Sequence, residues 1–399
     1  MTFNIHGRAF LAFLAAMTAL PPLAIDMALP SLALVQAEFG SSESETAAAI
    51  AIFLAGFSTA PLAVGPLADR FGRKPVMLAG LAVFTLCGPG CALAPSIGAL
   101  LAFRLVQGVG AGAVGVLPRA IVRDLFEGHE SRLLITTVAL VQAVAPVIAP
   151  SIGAAVLFVA PWQAIYAALA AIGAVLLAAG AGMFEESQAQ AMRQSLSPGK
   201  ILASYRRALT NPLCAGFSLV NGLVFAGMFA YINTSPLLFI QGYGVSKAAF
   251  AGLFAFTAFG SMIGTGVNSL LVRRHARPKA VLDTALTAAA VCALALLAVS
   301  LAGLGSTFVV AGIVLVYITT FGLVFPNAAH EAVQPLPDIA GVASAILLSG
   351  QMLLGSAGGA LGASLYRVGS PLAIGEVMSV AALAAAALYA FWLRPSIDE

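Results

Sequence analysis

The sequence predicts an all-α polytopic membrane protein, with twelve transmembrane helices in two six-helix bundles. Three observations carry that prediction. Of the 399 residues, 60% are hydrophobic and only 9% are charged, against about 25% charged in an ordinary soluble domain, and mean hydropathy is +1.00. The apolar runs are long and continuous, and because about 20 residues of helix cross a hydrocarbon core the chain has room for roughly twelve crossings. Hydrophobicity falls over one long stretch near the middle, which leaves two similar halves. Backbone amides inside a bilayer must pair within their own segment, so such runs read as helices and not as the short alternating strands of an outer-membrane barrel.

Spans are expected at about 9–30, 47–66, 76–94, 98–118, 133–155 and 162–183 in the first half. The second half is expected to cross at about 212–235, 248–270, 280–300, 307–328, 340–363 and 371–393. The chain start has one Arg ahead of a long span and no small-residue cleavage site, so it reads as a retained first helix. The domains are then a bundle over 1–183, a cytoplasmic linker over 184–211 and a bundle over 212–399. Within the linker, about 200–209 is open to two readings: a solvated tether, or a short helix at the interface with Arg206 and Arg207 toward anionic headgroups.

Between spans 2 and 3, the stretch Gly65 to Pro75 gathers Asp69, Arg70, Arg73 and Lys74. Such charges are not buried cheaply, so this is a tight cytoplasmic turn, pinned by Gly72 and stopped by Pro75. The basic run Arg273 to Lys279 holds the corresponding place in the second half. Ser31 to Thr46 carries Glu38, Glu43 and Glu45 without Lys or Arg, as expected of an outer loop. With both termini cytoplasmic, all but Lys247, Arg367 and Arg104 of the 19 basic residues fall at the inner surface, the bias that orients helical membrane proteins.

A net charge of +3 gives no footing for nucleic acid, and no soluble stretch is long enough for an ATPase. Cys87, Cys91, Cys214 and Cys292 all lie in apolar runs, where small buried hydrophobes are expected and not a disulfide framework or a zinc site. No nucleophile has a partnered base and no selectivity loop repeats. Catalytic residues, a metal and a cofactor are therefore not expected; the chain reads as neither an enzyme nor a channel.

Two charges inside spans call for a reason, since each costs at least roughly 2.5–3.5 kcal/mol near the bilayer centre. Asp26 lies toward the outer end of span 1 and Arg104 toward the outer end of span 4, at comparable depth. They are expected as neighbours across a polar cavity, Asp26 as a proton site and Arg104 as permanent counter-charge. A structural ion pair is the competing reading. Gln107 is one turn from Arg104, on a helix whose Gly108, Gly112 and Gly115 permit close contact. Pro146 and Pro150 bend span 5, which also carries Gln142.

Trp162 and Tyr166 read as interface anchors. Asn221, and a Tyr231, Asn233, Thr234 cluster that lines a mouth or breaks the helix, mark span 7. The aromatics Phe53, Phe57, Phe225, Phe229, Tyr231, Phe254 and Tyr317 are candidates for an apolar, weakly selective cavity, with lipid contact as the alternative for any one Phe. Asn327 and Gln351 are cavity candidates or cross-helix bonds. Asp283, beside the basic loop, is a local charge partner or a dipole-favoured end residue.

Gly65-x-x-x-Asp69-Arg70-x-Gly72-Arg73-Lys74 resembles the loop 2–3 signature of the major facilitator superfamily, and Arg104-x-x-Gln107-Gly108 resembles its helix 4 motif. The Asp26 to Pro30 end of span 1, Pro118 to Phe126, the Pro146/Pro150 helix and Trp162 through Tyr166 look like the Bcr/CflA drug-resistance branch of the twelve-helix drug:proton antiporters. The resemblance implies a proton-coupled exporter of small amphipathic or antibiotic-like compounds, in a bacterial inner membrane, working as a monomer among lipids. An exporter of one endogenous metabolite, such as an amino acid derivative or a sugar, is the alternative. By the resemblance Asp26 is the helix 1 acid, Arg104 the motif arginine, and Asp69, Arg70 and Arg73 an inner gate latch, with Gly65, Gly72 and Lys74 completing the gating motif. Ala145 replaces the usual Gly before the first helix 5 Pro, and Thr18 stands where some multidrug relatives carry a second acid.

Overall fold

The computed structural model describes residues 7–126, 128–187, 198–336 and 339–396. The chain is helical in the order α1 (Arg8–Asp26), α2 (Leu32–Phe39), α3 (Glu43–Phe71), α4 (Arg73–Ala92), α5 (Ile97–Leu125), α6 (Gly128–Val159) and α7 (Gln163–Met183). It continues with α8 (Pro198–Thr210), α9 (Pro212–Pro236), α10 (Lys247–Arg273), α11 (Pro278–Leu301), α12 (Thr307–Val333), α13 (Ala340–Leu365), α14 (Leu372–Leu388) and the short α15 (Arg394–Ser396). Among the described residues, 11 helical stretches are long and apolar enough to cross a membrane. The remaining expected crossing falls on α6, whose apolar stretch is Val144–Val159.

Several boundaries depart from the sequence expectation for identifiable reasons. The helix α1 ends at Asp26, and after a tight turn at Leu29–Ser31, closed by the Ser31 hydroxyl donating to the Ala28 carbonyl at 2.7 Å, the chain is helical again through α2, so that the first apolar stretch runs over Arg8–Phe39. The expected outer loop from Ser31 to Thr46 is therefore largely helical. At its far side α3 starts at Glu43 and not near 47, because Ser42 and Glu45 form a capping box. The Glu45 carboxylate accepts the Ser42 amide at 2.8 Å, and the Ser42 hydroxyl oxygen accepts the Glu45 amide at 3.2 Å.

The charged turn between spans 2 and 3 is likewise shorter than expected. α3 runs through Phe71, and the reversal is made at Gly72, with φ of 98°, a left-handed value that favours glycine. Pro75 does not stop a helix; it lies in the first turn of α4, where a missing N–H costs nothing. At the other end of the chain's first half, the linker's helical reading is the one found, since α8 is a helix from Pro198. Arg193 lies outside the described residues. Span 7 does not break at Tyr231 to Pro236: α9 continues through Pro236 and widens into a π turn over Leu237–Gly242.

The helices sort into two units, Met1–Ser31 with Ile52–Leu202, and Leu32–Ala51 with Ala203–Glu399, so that α3 begins in the second and continues in the first. In the first unit α1 packs on α5, α6 and α7, and α4 on α5 and α7. In the second, α9 is central, packed on α12, α13 and α14, with α10 against α12 and α11 against α12 and α14.

Candidate functional site

α5 puts Arg104 and Gln107 on one face, one turn apart, and Arg104 is fully buried at 0% exposure. Its Nη1 donates to Gln107 Oε1 at 2.9 Å and its Nη2 to the Ala24 carbonyl of α1 at 3.2 Å. The guanidinium carbon lies 4.2 Å from the Phe53 ring centre and 5.6 Å from that of Tyr166. These aromatic faces supply negative potential to a charge held away from water. Phe53 reaches Arg104 because Gly108 has no side chain: a Cβ there would land on the Phe53 carbonyl. Gln107 Oε1 also accepts from the Cys91 thiol at 3.8 Å, while Gln107 Nε2 is buried without a partner among the described residues.

Asp26 closes α1 and is 4% exposed. Among the described residues no hydrogen bond or ion pair joins it to Arg104 or to any other group. The competing reading, a structural ion pair between the two charges, is thus not what the described residues show. The guanidinium instead takes the backbone oxygen two residues earlier, at Ala24. Tyr166 and Trp162, expected as interface anchors, are both buried, and their rings meet edge to face at 5.8 Å. Phe57 packs on α5 beside Gly115. The side chain of Gln142 lies outside the described residues.

The charged motif after α3 closes on itself within the first unit. Arg73 Nη1 donates to Asp69 Oδ1 at 2.6 Å and Nε to Asp124 Oδ2, on α5, at 2.8 Å. Glu186, just past α7, accepts the amides of Arg73 at 2.8 Å and Lys74 at 3.2 Å, an anion on the positive end of α4. Lys74 Nζ donates to the Ala181 carbonyl at 3.0 Å. Arg70 lies over the Phe71 ring at 5.0 Å. Gly65 sits inside α3 with open space where a Cβ would be.

In the second unit the polar candidates are cross-helix partners. Asn221 Nδ2 donates to Gln351 Oε1 at 3.0 Å, and Asn327 Nδ2 to Asn268 Oδ1 at 2.7 Å. The Tyr231 hydroxyl and Thr257 Oγ1 are 3.0 Å apart, and Tyr317 donates to the Val224 carbonyl at 3.0 Å. Asn233 Nδ2 donates to the Ala47 carbonyl at 3.3 Å, in the space left by Gly359. Tyr231 stacks on Phe254 with centres 6.4 Å apart. Phe225 meets Phe229 at 4.6 Å and Phe321 at 5.3 Å, and Phe321 meets Phe325 at 5.8 Å.

Asp283 is paired with Arg394, Nε to Oδ1 at 3.0 Å. Beyond the spans, Tyr366 donates to the Leu237 carbonyl at 3.0 Å, and burial pushes its phenol above the usual range. Among the described residues no group of three or more His, Cys, Asp or Glu could hold a metal ion.

The family model described as Major Facilitator Superfamily matches residues 9–360. The uncharacterized MFS-type transporter YdgK of Bacillus subtilis is 33% identical over 356 residues, covering 88% of this chain and 87% of its own. The multidrug resistance protein MdtL of Shewanella sp. strain ANA-3 is 30% identical over 82% of this chain and 81% of its own. The protein of that name from Escherichia fergusonii is 31% identical, and the chain spans 62% of its length, less than two thirds. Among solved structures, a bacterial homologue of the human lysosomal transporter Spinster superposes with a TM-score of 0.74 over 98% of both chains at 17% identity, a likeness of fold alone.

Proposed function

Because this chain belongs to the major facilitator superfamily, we propose that it is a proton-coupled exporter of small amphipathic or antibiotic-like compounds, of the Bcr/CflA type. Membership itself makes it a multi-pass membrane protein and a secondary transporter that moves small molecules by alternating access, not an enzyme. The finer reading rests on one observation above all: Asp26 is buried inside a membrane span without a hydrogen bond or an ion pair among the described residues. A carboxyl group without a fixed counter-charge gains and loses a proton without breaking a salt bridge, as a coupling site requires. The multidrug-resistance name carried by relatives supports the substrate class.

In this reading a proton enters on Asp26 from the outer side and leaves inward, while the solute moves outward. Arg104, held by Phe53 and Gln107, anchors the end of α1 through the Ala24 carbonyl, two residues before Asp26. Asp69, Arg70 and Arg73 latch the inner side, and the chain sits in a bacterial inner membrane as a monomer with both termini cytoplasmic. The test is efflux of a panel of antibiotics and dyes from proteoliposomes under an imposed pH gradient. Gradient-dependent export of panel members supports the proposal.

A specific-metabolite exporter is the second reading, favoured by Thr18. Its hydroxyl is spent on the Leu14 carbonyl at 2.9 Å, where a second acid would broaden selectivity toward cations. Absence of export across the whole panel moves the assignment to that reading.

A further inference from the structure

α8 is separated from the membrane-crossing α9 by Asn211 alone, whose side-chain oxygen accepts the Cys214 amide at 2.9 Å. One face of α8 is spent on packing. Tyr205 and Ala208 lie against Cys214 at the start of α9, Leu336 just past α12, and Ala343 and Ile346 at the start of α13. All of these partners are helix ends at one membrane boundary, so α8 lies along that boundary. A second face carries Leu202, Arg206 and Leu209, at i, i+4 and i+7. Leu202 is 70% and Leu209 57% exposed. Arg206, exposed between them, makes no side-chain hydrogen bond or ion pair among the described residues.

We propose that the Leu202–Arg206–Leu209 face of α8 binds an anionic phospholipid leaflet, the leucines entering the acyl boundary and Arg206 holding a headgroup phosphate. Charge complementarity argues for an anionic surface. At the same end of the second unit Arg273, Arg274 and Arg277 are exposed, while two acids among the described residues there are withdrawn: Asp283 is paired with Arg394 and Glu331 is buried. An amphipathic helix this short cannot hold to a surface through two leucines alone; the basic group between them makes the contact selective for headgroup charge.

The experiment reads amide hydrogen exchange of 198–210 in the intact protein, in nanodiscs of phosphatidylcholine with increasing phosphatidylglycerol. Protection is expected to rise with phosphatidylglycerol. Arg206→Ala shifts the titration to about fivefold higher anionic lipid, the equivalent of about 1 kcal/mol per basic residue at the surface, and Arg206→Lys restores it. Leu202→Gln with Leu209→Gln lowers protection in every lipid mixture. Equal protection in phosphatidylcholine alone, an unshifted Arg206→Ala titration, or protection that follows protein concentration and so reports a second copy on this face would each overturn the proposal.

Discussion

Arg104 and Gly108 lie one turn apart on α5 and both meet the same residue of α3, Phe53: the guanidinium faces its ring at 4.2 Å and the glycine abuts its carbonyl. The charge and the seam are therefore set by a single contact point, and substitutions at the two positions separate electrostatics from packing.

Phe53→Leu keeps an apolar side chain but removes the ring face from a desolvated cation. A loss of about 2 kcal/mol is expected from the fold, seen as a lowered unfolding temperature in detergent. Arg104→Lys, which keeps the charge but not the planar fork that reaches both Gln107 and Ala24, is expected to impair transport as strongly as Arg104→Ala. Wild-type transport by the Lys variant would make Arg104 a simple snorkelling cation.

Gly108→Ala forces a Cβ onto backbone, and the folded fraction in membranes should fall sharply. Gly65→Ala is the contrasting case. Its Cβ meets nothing and sits in a helix, so the protein should be equally stable or more stable by about 0.5–1 kcal/mol. A stable Gly65→Ala protein that fails to transport would assign that glycine to the cycle and not to the fold.

Arg73→Ala leaves Asp69 and Asp124 without their shared cation. A cost of about 2 kcal/mol is expected, most of it from Asp124, because Asp69 is half open to solvent and screened. Glu186→Gln weakens the cap on α4 by about 1 kcal/mol. Both are read by thermal unfolding, and the Glu186 effect should shrink in high salt.

Asn268→Leu and Asn327→Leu, singly and together, form a double-mutant cycle across α10 and α12. Coupling near 0.6 kcal/mol, and no more than about 1.7, is the value for a hydrogen bond between membrane helices. Zero coupling would mean that the two amides are held apart in the working protein.

Asp26→Asn is expected to abolish uphill export driven by a pH gradient while sparing downhill exchange of the solute. Substrate counterflow in proteoliposomes checks the second half. Full proton-driven export by the variant would remove Asp26 from the coupling role.

The crossing pattern was legible because composition and run length act locally, and Arg104 was legible because a cation in an apolar run has few explanations. What escaped the sequence depends on tertiary partners. Tyr166 lies at a span end, where aromatic residues ordinarily meet lipid, and nothing local says that its ring turns to Arg104. Glu186 sits in a polar stretch and reads as solvated until α4 is placed beside it. Phe321 and Phe325 on α12 and Asn268 on α10 carried no signal beyond belonging to long apolar runs. The early start of α3 was available in the Ser42-x-x-Glu45 spacing, a cap that hydropathy alone overlooks.

The contact of Gly108 with the Phe53 carbonyl also sets a mechanical rule. A helix advances 1.5 Å per residue, so α3 cannot slip along α5 by even one position without dragging the ring off the cation and pressing a bulkier residue into the notch. The stretches of the two helices that meet at this contact travel together, and motion within the first unit has to bend or pivot elsewhere.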